Sequence, residues 1–379
     1  MSAPVIQGWC PGALRPMASG DGLVVRVRPR GGRLEPAQAA GIAALSRAHG
    51  NGVIDLSARA NVQLRGVTEA SHGPLLEGLR ALGLLDESIA AETRRNIVVT
   101  PFWDAGDGTQ ALAQALAKAL APDAPALPGK FGFAVDTGAT PVLRGTAADI
   151  RLECSAEGRL LVRADGASTG ANVTPETAAE TALHLARWFV ESGGISESRG
   201  RMAAHLARGA VLPGVFREAE ALPPGELPQF APGTVPQGQL VGFAFGQMQA
   251  ETLAALAGLW PLRVTPWRML LIEGLRGTPA LPGLITDAHD PLLRVIACTG
   301  APGCPQALQP TRPLARALAA HVPSGQMLHV SGCAKACAHP GQGPVTLLAE
   351  AGGFRHGATG PALSAKALLE RPQTLFEAP

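Results

Sequence analysis

Four of the six cysteines in this 379-residue chain lie close together, between positions 298 and 337, as two short-spaced pairs. The first pair reads Cys298-Thr299-Gly300-Ala301-Pro302-Gly303-Cys304. The second reads Cys333-Ala334-Lys335-Ala336-Cys337. Thiolates are soft ligands that select iron–sulfur clusters, zinc or copper(I), and a cubane cluster needs four of them around one compact body. Structural zinc sites usually space their paired cysteines by roughly two to four residues, and the gap of the first pair, Thr299 to Gly303, is wider. Gly300 and Gly303 suit a loop that must wrap closely round an inorganic core. The favoured reading is a [4Fe–4S] cluster on Cys298, Cys304, Cys333 and Cys337. Zinc and disulfides are the alternatives.

Compartment bears on that choice. The opening of the chain lacks a basic start followed by an apolar run, and nothing approaches the roughly 18 uninterrupted apolar residues of a membrane span. The chain therefore reads as cytoplasmic, where thiols stay reduced and ligation is favoured over structural disulfides. Hydrophobic residues make up 46% and charged residues 16%, so a sizeable core is expected. A net charge of +2 argues against nucleic-acid binding by bulk electrostatics. Lysine is rare among the basic residues, an excess of arginine that biased composition also produces, so arginines must be argued one by one. Cys10 and Cys154 fall outside the ligand set and read as buried or incidental thiols.

The pattern C-x5-C followed by Ser331-Gly332-Cys333-x3-Cys337 resembles the cluster motif of the sulfite and nitrite reductase family. Within that family, the run from Ser331 through His339 to Pro340 is similar to the precorrin-3B synthases. So are the opening run from Cys10 to Met17 and the following Ser19-Gly20-Asp21-Gly22-Leu23. The likeness spans almost the whole chain.

The elements that must position these residues are partly visible. Leu23–Arg28 alternates as a strand, Pro36–His49 carries apolar residues at helical spacing and ends at Gly50, and Val53–Leu56 and Val62–Val67 read as short strands. Gln239–Phe245, the helical Ala250–Trp260 and the strands from Leu262 to Ile272 repeat that order, with Thr265 falling where Ser57 does. Arg294-Val295-Ile296 likewise echoes Arg95-Asn96-Ile97 at a similar offset, which suggests a duplicated half. Arg151–Cys154 and Leu160–Arg163 form a hairpin, and Thr174-Pro175 opens a helix towards Ser192. The Pro- and Gly-rich stretch 211–237 reads as a linker.

What the resemblance adds is an α+β fold of two pseudo-symmetric halves, each a small ferredoxin-like unit plus a larger α/β unit. The boundaries are then 1–210 (small unit about 18–70, large unit about 85–210) and 238–379 (small unit about 238–277, cluster-binding unit about 285–379). A tetrapyrrole site is expected between them. A macrocycle rich in carboxylates needs cationic partners in an apolar cleft. Three positions match the basic residues with which the family grips its macrocycle and anion: Arg59 in Ser57-Ala58-Arg59-Ala60-Asn61-Val62-Gln63, Arg95, and Lys130 in Leu127-Pro128-Gly129-Lys130-Phe131. Two departures count against a sulfite reductase: Gly132 stands where that pattern has a second lysine, and Pro344 where it has an acidic residue.

The activity implied is an oxygen-dependent monooxygenase of aerobic cobalamin biosynthesis, converting precorrin-3A to precorrin-3B by C20 hydroxylation with γ-lactone closure. Its substrates would be precorrin-3A and O2, with an external electron donor. The resemblance allows for a mononuclear non-haem iron besides the cluster. Its ligands do not declare themselves, although Asp287-Ala288-His289-Asp290 and His339 are the histidine positions nearest to anything suggestive. His184 and His205, on helical stretches, read as core or surface residues. The alternatives are a sirohaem-dependent sulfite or nitrite reductase and a non-enzymatic, cluster-containing tetrapyrrole carrier.

Overall fold

A computed structural model describes residues 11–120, 124–223, 225–227, 229–258, 260–339, 345–357 and 360–377. Cys10, Pro340 and Pro344 lie outside the described residues.

Strand Gly22–Val27 begins at a glycine with φ 118° that turns the chain back onto Met17–Ser19, and its Val25 and Val27 are fully buried. Helix Pro36–His49 starts with proline in its first turn, and Gln38 Oε1 accepts from Glu35 N–H at 3.1 Å as half of a capping box. Its stripe Ala39, Ile42, Ala43 and Ser46 packs inward. Strands Val53–Leu56 and Val62–Val67 complete the first small sheet's own strands, and the turn between them is stitched by Ser57 Oγ, which accepts from Arg59 N–H and Asn61 N–H.

The second small sheet repeats this plan with Gly233–Val235, Gly238–Gly242, helix Ala250–Ala257, Leu262–Val264 and Met269–Glu273. Thr265 Oγ1 accepts from Trp267 and Met269 N–H, the task that Ser57 performs in the first unit. Each unit also lends a strand to the other. Arg33–Leu34 pairs antiparallel with Leu262-Arg263, while Gln247–Gln249 pairs antiparallel with Val53–Asp55. Both crossing strands follow a tight turn containing one residue at φ 59°, ψ 17°: Gly31 in one unit and Phe245 in the other. That turn ends the second unit's strand at Gly242, short of the Phe245 expected from its apolar run, and its helix stops at Ala257 rather than Trp260. The two small sheets share one core, with Val25, Ile42, Ile54 and Leu64 packed with Leu253 and Ile272.

The large sheets are a second matched pair. Ile97–Val99, Phe133–Asp136 and Ile150–Cys154 run parallel, followed by antiparallel Leu160–Ala164, Thr169–Asn172 and Ala219–Glu220. Val295–Ala297, Leu328–Ser331 and Val345–Glu350 run parallel, followed by antiparallel Gly353–His356 and Ala362–Leu363. Helices Thr109–Ala119 and Arg312–Leu318 connect the first two strands of each. The central strands Phe133–Asp136 and Leu328–Ser331 are buried along their whole length, as strands covered on both faces are.

The stretch 211–237 carries more structure than a linker needs: a helical turn at Gly214–Arg217, the edge strand Ala219–Glu220 and the strand Gly233–Val235. Helix Glu69–Ala81 escapes a periodicity reading because Gly73, Pro74 and Gly78 interrupt it, yet Thr68 caps it by accepting from Ser71 N–H at 3.1 Å. Among the described residues no helix is long and apolar enough to cross a membrane.

Candidate functional site

Val295–Ala297 and Leu328–Ser331 are adjacent and parallel, so the loops leaving their carboxyl ends emerge side by side. One carries Cys298 and Cys304, the other Cys333 and Cys337. Parallel α/β sheets characteristically place their sites at this end. Cys298 N–H donates to Val330 O at 3.3 Å and Gly332 N–H donates to Cys298 Sγ at 3.1 Å, so the second loop begins by bonding the first loop's sulfur. A Cβ on Gly332 would crowd Ala307 Cβ at 2.8 Å and Cys298 Sγ at 3.3 Å, which explains a glycine there. Thr311 Oγ1 donates to Cys298 O at 2.7 Å, and Cys304 N–H closes the first loop on Gly300 O at 2.8 Å.

The thiols act on one another. Loss of solvation, and then the charges of Cys298, Cys333 and Cys304, push the Cys337 thiol above its ordinary range, although Cys337 keeps surface open to solvent. Four thiols on adjacent loops and the sulfur-directed N–H of Gly332 are the donor types an iron–sulfur cluster takes, although the four cysteines are not drawn together as a metal site in this structure. Among the described residues, no three His, Cys, Asp or Glu side chains converge on a position for a single ion.

The first cysteine loop is clamped from the amino-terminal half. Gly303 O accepts from Gly20 N–H at 3.1 Å, Ser19 Oγ–H at 2.6 Å and Arg65 Nη2 at 3.1 Å. Arg65 is held by both carboxylate oxygens of Asp21, at 2.7 and 3.0 Å. The run Ser19-Gly20-Asp21 thus supplies the backbone donor, the hydroxyl and the carboxylate of one clamp. Asp55 lies behind it, with Arg65 Nη1 at 3.8 Å, Arg312 Nη2 at 3.5 Å and Gln247 Nε2 donating at 2.9 Å.

Beside the second cysteine loop is a cavity of about 430 Å³, within the roughly 300–1,000 Å³ of small-molecule sites. Its lining includes Ala58, Phe245, Trp267, Arg268, Ala338 and His339. Phe230, another wall residue, packs on Trp267 with ring centroids 3.9 Å apart and planes tilted by 32°, and Phe102 backs the pair at 5.1 and 5.7 Å. Behind the wall, His329 is 1% exposed with its ring 5.9 Å from that of His339, and its Nε2 has no partner among the described residues. Burial first, then the charges of His339 and Arg268, pull His329 down to about 4, so its imidazole is neutral near pH 7.

The three basic residues expected at a tetrapyrrole do not share one environment. Arg59 follows Ala58, on the cavity wall, and its Nη2 donates to the backbone oxygen of Lys130 at 3.0 Å, bringing those two positions together. Lys130 itself is exposed. Arg95 is 10% exposed and gripped by Asp86 through Nε and Nη2, each at 2.8 Å, with Nη2 also donating to Arg28 O. It lines a different cavity with Arg30 and Lys118. Gly132 could not carry a second lysine without displacing Asn96, whose Nδ2 lies 2.6 Å from the place of a Cβ and donates to Phe131 O.

The histidines near carboxylates have local tasks. Asp287 Oδ1 accepts from His289 N–H and Asp290 Oδ1 from Leu292 N–H, both at 2.8 Å, so this run caps a turn. His205 bonds Ser192 Oγ at 2.8 Å and packs on Trp188 and Phe189, and His184 packs on Phe216. Cys154 Sγ donates to Thr137 O at 3.2 Å.

Sequence reasoning missed Arg268, the aromatic shelf and the Gly303 clamp. A signal for Arg268 existed, since the internal repeat that sets Thr265 on Ser57 also sets Arg268 on Ala60. Both residues sit at positive φ, 60° and 52°.

The paired sheets are the fold of the nitrite/sulfite reductases. The family described as the nitrite/sulfite reductase ferredoxin-like half domain matches residues 15–82. The solved structure of the Mycobacterium tuberculosis NirA protein superposes with a TM-score of 0.68 at 15% identity, covering 93% of this chain and 79% of that one. More particularly, the chain is 27% identical over 409 aligned positions to a precorrin-3B synthase from a Sinorhizobium species, covering 93% of this chain and 83% of that protein.

Proposed function

We propose that this chain is an oxidoreductase of the precorrin-3B synthase type, which holds a carboxylate-rich tetrapyrrole beside a four-cysteine iron–sulfur cluster and hydroxylates it with O2. The observation that carries the reading is the adjacency of the aromatic cavity to the second cysteine loop, through Ala338 and His339. The 27% likeness to a precorrin-3B synthase supports the choice of substrate, precorrin-3A. The crowding of Gly132 by Asn96 favours it over a sulfite reductase with a second lysine at that place.

Cys298, Cys304, Cys333 and Cys337 would hold the cluster, whose chemistry is the delivery of single electrons taken from an external donor. The protein's part is orientation and exclusion of water. Phe230 and Trp267 offer apolar aromatic surface to a macrocycle, while the clamp on Gly303 fixes the first cysteine loop against the amino-terminal half. Neutral His329, backing His339, adds no positive charge to a wall already carrying Arg268.

The test is conversion of precorrin-3A by anaerobically purified protein, with iron and sulfide quantified and the absorption spectrum recorded. O2-dependent conversion and an iron–sulfur spectrum are expected. Undiminished conversion without O2 refutes the monooxygenase, and intense sirohaem bands identify a reductase.

A further inference from the structure

Arg268 is in a costly position. Its backbone has φ 60°, a region disfavoured for residues with a Cβ, whereas its counterpart in the first half of the repeat is the small Ala60. Its side chain is half-buried, and loss of solvation followed by the nearby charge of Arg312 holds the guanidinium below the ordinary arginine range, with Asp55 and Cys337 opposing that shift. Among the described residues no carboxylate lies within ion-pair distance of it. Asp55 is committed to Arg65, Arg312 and Gln247. The hydrogen bond Arg268 does make, Nη2 to Ala338 O, is long at 3.3 Å, and the residue faces the aromatic cavity. A half-buried arginine with one long hydrogen bond to a neutral acceptor and a planar fork beside an apolar cavity has no carboxylate partner of its own.

We infer that Arg268 is the carboxylate-binding subsite of this cavity, gripping an acidic side arm of the ligand whose ring lies against Phe230 and Trp267. The inference rests on the tetrapyrrole reading and deepens it. The ligand class it selects is a planar macrocycle bearing at least one carboxylate directed towards the second cysteine loop. Arg95 and Lys130 are excluded as the principal grip, the first by its two-point pair with Asp86 and the second by its exposure. Arg59 stands on the opposite loop, next to Ala58, and would meet a second arm.

A structural and a ligand-binding arginine respond in opposite ways to Arg268→Met, which keeps an unbranched side chain and removes the charge. If Arg268 exists for a ligand, the ligand-free variant melts at or above the wild-type temperature, because a half-buried cation without a carboxylate partner is gone. Its affinity for metal-free uroporphyrin, a tetrapyrrole with a carboxylate on every side arm, falls about ten- to a hundredfold, the loss of a charge-assisted hydrogen bond. Fluorescence titration of uroporphyrin into the cluster-loaded protein reads the affinity, and iron content checks the cluster. Unchanged affinity overturns the subsite and leaves the tetrapyrrole reading standing. A lower melting temperature, with or without lost affinity, assigns Arg268 to the fold and also overturns it. Failure of the wild type to bind uroporphyrin overturns the tetrapyrrole reading and the subsite together.

Discussion

Replacing Gly20 by alanine should loosen the first cysteine loop, although the two lie towards opposite ends of the chain. A Cβ at Gly20 would overlap Pro302 O and stand 3.1 Å from Gly303 C and 3.2 Å from Cys304 N, all backbone atoms. Carbon needs about 3.5 Å to a neighbouring heavy atom, so the loop must retreat by on the order of 1 Å. Overpacking of that kind costs about 1–3 kcal/mol. Retreat also stretches the bonds to Gly303 O from Gly20 N–H, Ser19 Oγ–H and Arg65 Nη2, each worth about 0.5–1.5 kcal/mol. A total of about 2–4 kcal/mol follows if only some of these are lost. Its effect concentrates on Cys304, whose own amide is among the crowded atoms. The assay is iron and acid-labile sulfide per chain after anaerobic reconstitution, with a urea melt of the same sample. Gly73→Ala is the control, since nothing lies within 4 Å of a Cβ there. Gly20→Ala protein with wild-type iron, sulfide and urea midpoint would refute the clamp as the element that holds the first cysteine loop.

Serine at any one of Cys298, Cys304, Cys333 or Cys337 should abolish the cluster's visible absorption, and a variant retaining it in full is thereby removed from the ligand set. Arg95→Met should destabilise the protein by about 3–5 kcal/mol, because Asp86, 8% exposed, is left buried and without its two-point partner; a urea midpoint within error of the wild type contradicts that structural role. Asp136 is 2% exposed, with Oδ2 accepting from Val142 and Leu143 N–H at 2.7 Å and Oδ1 unpaired among the described residues. Burial, with Glu153 adding, raises its pKa to about 6 from 3.8. A carboxyl raised on folding stabilises fully below its unfolded pKa, and that contribution disappears as pH rises through the folded value. Asp136→Asn should therefore stabilise above pH 6 by up to about 3 kcal/mol and change little near pH 4. Equal urea midpoints of variant and parent at pH 7.5 would exclude it.

Much of the architecture was legible because it is local. Helix Pro36–His49 announces itself by proline, periodicity and a closing glycine, and Val53–Leu56 and Val62–Val67 by β-branched runs between turn residues. The reciprocal exchange of Arg33–Leu34 and Gln247–Gln249 was not legible, since strands so short carry no periodicity and their partners lie in the other half of the chain. The turn at Phe245 was hidden for a related reason: a phenylalanine at positive φ breaks an apolar run that reads as one strand.

For the site, the sequence by itself determined the chemistry that depends on residue type and near spacing. Four cysteines in two short loops supply a soft donor set that is legible in the sequence, because thiolate chemistry and loop geometry are short-range properties. The tertiary structure alone decided which cations face the aromatic cavity. An arginine looks the same in sequence whether it is paired, exposed or aimed into a cavity, since its free energy depends on the charges and solvent that folding brings around it. Asp86 closes Arg95, solvent takes Lys130, and Arg268 is left beside the aromatic shelf with one carbonyl for company. The Ser19-Gly20-Asp21 run likewise acquires its meaning only when the fold sets it against Gly303, a contact between chain segments too far apart for any pattern in the sequence to relate.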